Sequence, residues 1–140
     1  MGKFKQRNQE PQTPFKSDRQ GGEGSTQHLT PFFSFEKMQR GTGYSIACCP
    51  QEEQAALATK LFELSQITWA TIQGTHRHGA GCEIIPQSRL HVSLPRSVTD
   101  DVTILAFRYN GKKAMLGYRD GRILHILLLD HNFTVYDHGS

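Results

Sequence analysis

Positively charged and proton-exchanging side chains are concentrated in the last third of the chain, at Arg108, Lys112, Lys113, Arg119, Arg122, His125, His131, Tyr136 and His138. Cleavage of RNA requires a group that removes a proton, a group that returns one, and cations close to the phosphate. Histidine and tyrosine suit the proton steps, and arginine and lysine suit the charge. These residue types are therefore chemically suited to binding a phosphodiester backbone and to cutting it.

Alternation between apolar and polar residues places two of these side chains on one predicted surface. Arg108 lies between Phe107 and Tyr109, and His125 is likewise flanked by apolar residues. Because successive side chains of a strand point to opposite faces, Arg108 and His125 are predicted to project from one sheet face over a groove. The alternative is that Arg108 pairs with an acidic residue and His125 is a structural histidine.

The C-terminal residues 130–139 form a second group with potential chemistry. They bring histidine, tyrosine and aspartate together where a strand ends. Tyr136 and His138 are predicted to exchange protons with a substrate, since histidine titrates near neutral pH and tyrosine can donate a hydrogen bond. The alternative is a frayed tail that makes turns.

Residues 76–82 contain His76, His78 and Cys82, which are metal-ligand types, and Cys48 or Cys49 could complete a set of four. Their spacing matches no standard zinc motif, so no metal and no other cofactor is expected. Arg77 and His78 are instead predicted to contact an anion from this glycine-rich loop. The loop lacks the Gly-Lys-Ser/Thr ending of a nucleotide phosphate-binding loop.

Composition sets broad limits on the kind of protein. The chain has 140 residues, a formal net charge of +3 and a pI near 8.9, which permit an RNA or acidic protein partner without requiring one. Three cysteines, an odd number, favour a reducing cytoplasm. No secretory signal is expected at the N-terminus, and the apolar runs are too short to predict a membrane partner. Motifs of serine hydrolases, zinc proteases and dinucleotide-binding enzymes are absent from the sequence.

The N-terminal half predicts an arm, two short strands and two helices. Residues 1–30 are polar and basic and are predicted to be disordered, and residues 31–140 to form a single domain. Phenylalanines at 32, 33 and 35 predict a first strand, and residues 44–48 a second. A helix is predicted from Pro50, with Cys49 as its N-cap and a buried leucine stripe. A second helix is predicted over residues 67–73.

The C-terminal half predicts a loop followed by strands. Residues 75–88 contain glycine and proline residues that interrupt helices and strands, so a loop is predicted there. Strands are predicted at residues 90–94, 102–109, 113–118 and 123–129, with a short addition at 134–136. The resulting fold class is α+β, with two helices packed on a four- to five-stranded, mainly antiparallel sheet.

This element order resembles the RelE/ParE superfamily of small bacterial toxins. The matching segments are the helices over residues 50–73, the four residues 106–109, and the triplets 117–119 and 136–138. The resemblance implies an endoribonuclease toxin that cleaves mRNA at the ribosome and is inhibited by a cognate antitoxin. It also implies that Arg108 and Arg119 stabilise the phosphate, that Tyr136 and His138 transfer protons, and that His125 is a reserve. The sequence also resembles short bacterial and phage-borne proteins of unassigned activity.

Two other functions remain open on the sequence. A non-enzymatic nucleic-acid- or protein-binding accessory module of a bacterium or phage would use the same basic face. A metal-stabilised interaction protein is the third possibility. Whether the protein cleaves RNA or only binds it, the contacts to RNA are predicted to come from Arg77, His78, Lys112, Lys113 and Arg122. The attraction of these residues for RNA weakens as the salt concentration rises.

Overall fold

The computed structural model describes residues 26–40, 43–74 and 81–136. These residues include the α-helices α1 (Gln51–Leu64) and α2 (Trp69–Gly74). Two short 3-10 helices cover Ile46–Cys48 and Gln87–Arg89. The five strands are β1 (Phe32–Ser34), β2 (Cys82–Ile85), β3 (Ile104–Asn110), β4 (Lys113–Asp120) and β5 (Ile123–Asp130). The α+β fold class predicted from the sequence is confirmed.

The five strands form one mixed sheet in the order β1-β5-β4-β3-β2. The pairs β2–β3, β3–β4 and β4–β5 are antiparallel, whereas β1 runs parallel to β5, with Phe32 paired to Ile123. The two tight turns of the meander contain Gly111 (φ 62°) and Gly121 (φ 63°). Because residues other than glycine rarely adopt such positive φ values, these glycines explain why the chain reverses at the predicted turns.

Helix α1 forms because the sequence combines a start signal with an apolar stripe. Pro50 has extended backbone angles (φ −60°, ψ 159°) and is the N-cap, so the prediction that Cys49 caps the helix is wrong by one residue. Glu52 and Glu53 occupy the first turn, where negative charge is favourable. The predicted leucine stripe packs on the sheet.

The sheet is covered on both faces. The helical face buries Trp69 of α2 together with Phe107 and Met115 of the sheet. The opposite face buries Leu116 and Leu127 under irregular chain from residues 86–103 and 134–136. Burial on both sides explains why β5 is an almost continuous apolar run instead of an alternating one.

Three element predictions were wrong. The predicted loop at 75–88 contains β2, which forms the edge of the sheet beside β3. Residues 90–94 form no strand, because Leu90 makes only one bridge, to Tyr136, while Val92 and Leu94 contact the second core from irregular chain. Residues 44–48 also form no strand, because Ile46–Cys48 is a 3-10 helix, and the Cys48 amide donates to the Ser45 carbonyl at 3.0 Å.

Residues 26–30 pack against the start of α2. The Trp69 amide donates to the Leu29 carbonyl, and the Ala70 amide donates to the Gln27 carbonyl, each at 2.9 Å. Thr26 is fully buried. The folded chain therefore extends back at least to Thr26, and residues 1–25 of the predicted arm lie outside the described residues.

Within the described ranges, no helix has both the length and the apolar character needed to cross a membrane.

Candidate functional sites: the predicted basic residues and a buried Cys–Glu–His cluster

Arg119, a predicted phosphate ligand, is half-buried and is held by hydrogen bonds to its neighbours. Its guanidinium donates to Thr26 Oγ1 at 2.6 Å and to Gln73 Oε1 at 2.5 Å, and its Nε donates to the Gly121 carbonyl at 2.7 Å. The same group stacks over the Trp69 ring at 4.3 Å. Because these contacts join the first described residues to α2 and the β4–β5 turn, Arg119 has a structural role.

Arg122, a predicted RNA contact, also has a structural role, directly before β5 begins. Its Nε donates to the Thr30 carbonyl at 2.9 Å, and its guanidinium stacks over the Phe32 ring at 3.8 Å. Its carbonyl accepts hydrogen bonds from the Phe32 amide (3.0 Å) and from Trp69 Nε1 (2.9 Å). These contacts attach β1 and α2 to the start of β5.

His125 is buried at the opposite end of the sheet from Arg108. It stacks on Tyr118 with ring centroids 4.8 Å apart, and its Nε2 is 3.8 Å from a carboxylate oxygen of Asp120. Burial lowers the pKa of His125, a change that Asp120 opposes. The alternation correctly puts His125 and Arg108 on one face, but the register pairs Arg108 with Ala114 and His125 with Tyr118. They are thus separated by roughly 13 Å along β4.

Arg108 and Tyr136, in contrast, are brought together on the face opposite the helices. Tyr136 is held there by its bridge to Leu90. Burial raises the pKa of Tyr136 to about 12, and the Glu83 carboxylate adds to the rise, whereas the charges of Arg108 and Arg89 oppose it. Arg108 is exposed, and its guanidinium makes no hydrogen bond or ion pair to any described residue. This pair combines an available cation with a phenol that stays protonated at neutral pH.

The remaining predicted residues have different surroundings. Lys112 is exposed in the turn between β3 and β4, whereas Lys113, at the start of β4, forms an ion pair with buried Glu53. Arg77, His78 and His138 lie outside the described residues.

A buried group of three metal-ligand side chains lies where α1 begins and β5 ends. Cys49 directly precedes the helix cap, Glu53 is in the first helical turn, and His131 is the first residue after β5. One ligand atom from each lies within 4.8 Å of the others, and His131 Nδ1 is 3.8 Å from Glu53 Oε1. The Cys49 thiol is also 3.9 Å from the Tyr109 hydroxyl.

The chain positions these three residues through ordinary backbone contacts. Cys49 and Glu53 are four residues apart, the spacing at which side chains meet at a helix start. The Leu129 amide donates to the Tyr44 carbonyl at 2.9 Å and ties the segment before α1 to the end of β5. The spacing of Cys49 and Glu53 was visible in the sequence. Their proximity to His131 was not, because it depends on the packing of α1 against the sheet.

Neither the family models nor the curated proteins nor the solved structures that were compared with this chain include a match to it.

Proposed function

We propose that this protein binds RNA on the sheet face opposite its helices, around Arg108. The observation that carries the proposal is the exposed Arg108 guanidinium beside Tyr136, since the other predicted arginines of the sheet, Arg119 and Arg122, are engaged in packing. Arg89 places a second positive charge near the same tyrosine. Lys112 adds an exposed charge at the turn following β3. Phosphate oxygens are the groups that such a set of cations recognises.

Cleavage of the bound RNA is a second candidate function, which the protonation of Tyr136 favours. A phenol with a raised pKa keeps its proton at neutral pH, so it suits donation to the leaving oxygen and not removal of a proton from the attacking hydroxyl. Arg108 would stabilise the charge that develops on the phosphate. His138, which was predicted to share the proton transfers with Tyr136, remains a prediction. The RelE/ParE resemblance adds that the target is mRNA at the ribosome and that an antitoxin inhibits the protein.

Binding is tested by fluorescence anisotropy with a labelled single-stranded RNA, comparing the wild type with Arg108→Ala. Arg96→Ala is a matched control, because Arg96 is also an exposed arginine and its loss changes the net charge equally. We expect Arg108→Ala to weaken binding about 5- to 10-fold, the loss of one charge-assisted contact, and Arg96→Ala to leave it nearly unchanged. Equal affinities in all three proteins, or no binding by the wild type, would contradict the proposal.

Cleavage is tested separately with Tyr136→Phe, which removes the hydroxyl and keeps the ring that packs in the second core. Wild type and variant are incubated with mRNA, with and without ribosomes, and each is also induced in a bacterial host. Growth arrest and mRNA cleavage that Tyr136→Phe abolishes, while RNA binding persists, would support the toxin function. Wild-type protein that binds RNA and never cuts it would instead be a non-enzymatic binding module.

A further inference from the structure

We propose that Cys49, Glu53 and His131 bind a zinc-type divalent metal ion, at a site separate from the RNA-binding face. Their thiol, carboxylate and imidazole groups are the three classes of ligand that zinc takes in proteins. No metal was expected from the sequence, because the spacing of the candidate ligands at residues 76–82 matches no standard zinc motif. The present site uses residues from α1 and from the end of β5.

The distances suit a metal after a small adjustment. Zinc bonds of about 2.0–2.3 Å place the ligand atoms of a tetrahedral site roughly 3.5 Å apart. The three ligand atoms here lie within 4.8 Å of one another. Side-chain rotation that brings the two most distant ligand atoms closer by about 1 Å therefore places the three atoms at three positions of a tetrahedral site. Water or another small ligand would complete the tetrahedral shell.

Two buried polar atoms of the cluster have no other partner. Glu53 Oε1 and His131 Nε2 accept or donate no hydrogen bond to the described part of the chain. The Glu53 side chain is only 5% exposed, and its other oxygen, Oε2, is occupied by Lys113. Since buried polar atoms without partners are costly, Oε1 is an acceptor for which a cation is a fitting partner. This observation distinguishes the cluster from acidic groups that point into water.

The chemical types of the three ligands suit a transition metal ion. The Cys49 thiol binds a metal as its thiolate and releases its proton to solvent. The thiolate and the Glu53 carboxylate carry two negative charges, against the two positive charges of the ion and the one of Lys113, which contacts Glu53 Oε2. A mixed sulfur, nitrogen and oxygen set favours zinc over calcium or magnesium, which prefer oxygen ligands alone.

The experiment is a cobalt titration of the full chain under a phosphine reductant, followed by competition with zinc. Cobalt(II) bound to a thiolate in a tetrahedral site gives an intense visible spectrum and a sulfur charge-transfer band. We expect one cobalt per chain, displaced by zinc. Cys49→Ser should remove the charge-transfer band, and Glu53→Gln and His131→Gln should each weaken binding at least about 10-fold. Cys48→Ser is the matched control, since this thiol is adjacent and outside the cluster, and it should bind like the wild type.

A second readout covers variants whose folding is impaired. Zinc should raise the midpoint of thermal unfolding of the wild type and of Cys48→Ser, because it binds only the folded state. It should not raise that of His131→Gln. Absence of stoichiometric cobalt binding by the wild type would overturn the proposal. A charge-transfer band that survives in Cys49→Ser and disappears in Cys48→Ser would overturn the assignment of the ligands. Neither result bears on RNA binding, which depends on other residues.

Discussion

The Arg119 guanidinium connects three parts of the fold and has a planar geometry that few side chains can replace. We expect Arg119→Lys to lower the free energy of unfolding by about 2 kcal/mol, because an ammonium group cannot make the same fan of hydrogen bonds and stack on Trp69. Urea denaturation measures the loss, with Arg96→Lys as the control. RNA affinity of the folded variant should equal that of the wild type. A stable Arg119→Lys protein with weakened RNA binding would return Arg119 to the functional set.

Buried His125 predicts a loss of stability on the acidic side. Burial lowers its pKa below the usual 6.5 in the folded protein, so the unfolded chain binds the proton more readily. The stabilisation is therefore complete above about pH 6.5 and is lost as the pH falls below it. We expect His125→Phe, which retains a ring against Tyr118, to reduce the slope of unfolding free energy between pH 7.5 and 5. An unchanged slope in His125→Phe would refute the assignment.

At the level of single residues, the sequence shows which residue types are available for chemistry but not which role each residue has in the fold. Arg108, Arg119 and Arg122 look equivalent in the sequence, since each is set into the strand meander. What separates them is contact with residues distant in the chain, such as Thr26 and Thr30, which no local pattern reveals. The alternative for His125, a structural histidine, agrees with its burial against Tyr118.

Gly117 lies where the backbone of β5 leaves no room for a side chain on β4. A Cβ atom at this position would be 2.1 Å from the His125 carbonyl oxygen, which belongs to the backbone and cannot move aside alone. The register also shifts here, since Leu116 pairs with Leu128 and Gly117 with Ile126. We expect Gly117→Ala to lower the free energy of unfolding by about 3 kcal/mol through displacement of the two strands.

The matched control for this element is Gly74→Ala. Gly74 ends α2, and a Cβ atom there meets nothing within 4 Å. Alanine is the better helix former, so the stability should be unchanged or slightly higher. Gly117→Ala and Gly74→Ala are compared by urea denaturation. Similar free energies of unfolding of the two variants would contradict the prediction that a Cβ atom at position 117 displaces β4 and β5.

Elements with a strong local pattern were predictable, and those defined by distant partners were not. Helix α1 and the β3–β4–β5 meander have caps, periodic apolar residues and glycine turns in their own sequence. Strand β2 is only four residues long and is a strand because β3 lies beside it. Residues 90–94 show the converse, since their alternating apolar side chains pack on the second core without a neighbouring strand to complete a ladder.

For the whole molecule, a modest net charge of +3 predicts weak, salt-sensitive RNA binding. Each phosphate neutralised on a single strand contributes roughly −0.7 to the slope of log affinity against log salt. With Arg108, Arg89 and Lys112 in contact, the slope should be about −2. Anisotropy titrations at several salt concentrations measure it, and Arg108→Ala should make the slope shallower by about 0.7. A slope near zero would mean that binding does not depend on phosphate contacts.

Strand β1 runs parallel to β5, which is its neighbour among the described strands. This pairing has a consequence for the order in which the chain folds. The ribosome releases residues 26–34 long before it makes residues 123–125, with which Phe32, Phe33 and Ser34 pair. Neighbouring strands of the meander can associate as they emerge, but β1 must wait until the last strand has been synthesised. Docking of the N-terminal segment is thus a late step of folding. A chain whose synthesis stops before residue 123 would lack the strand β5 with which β1 pairs.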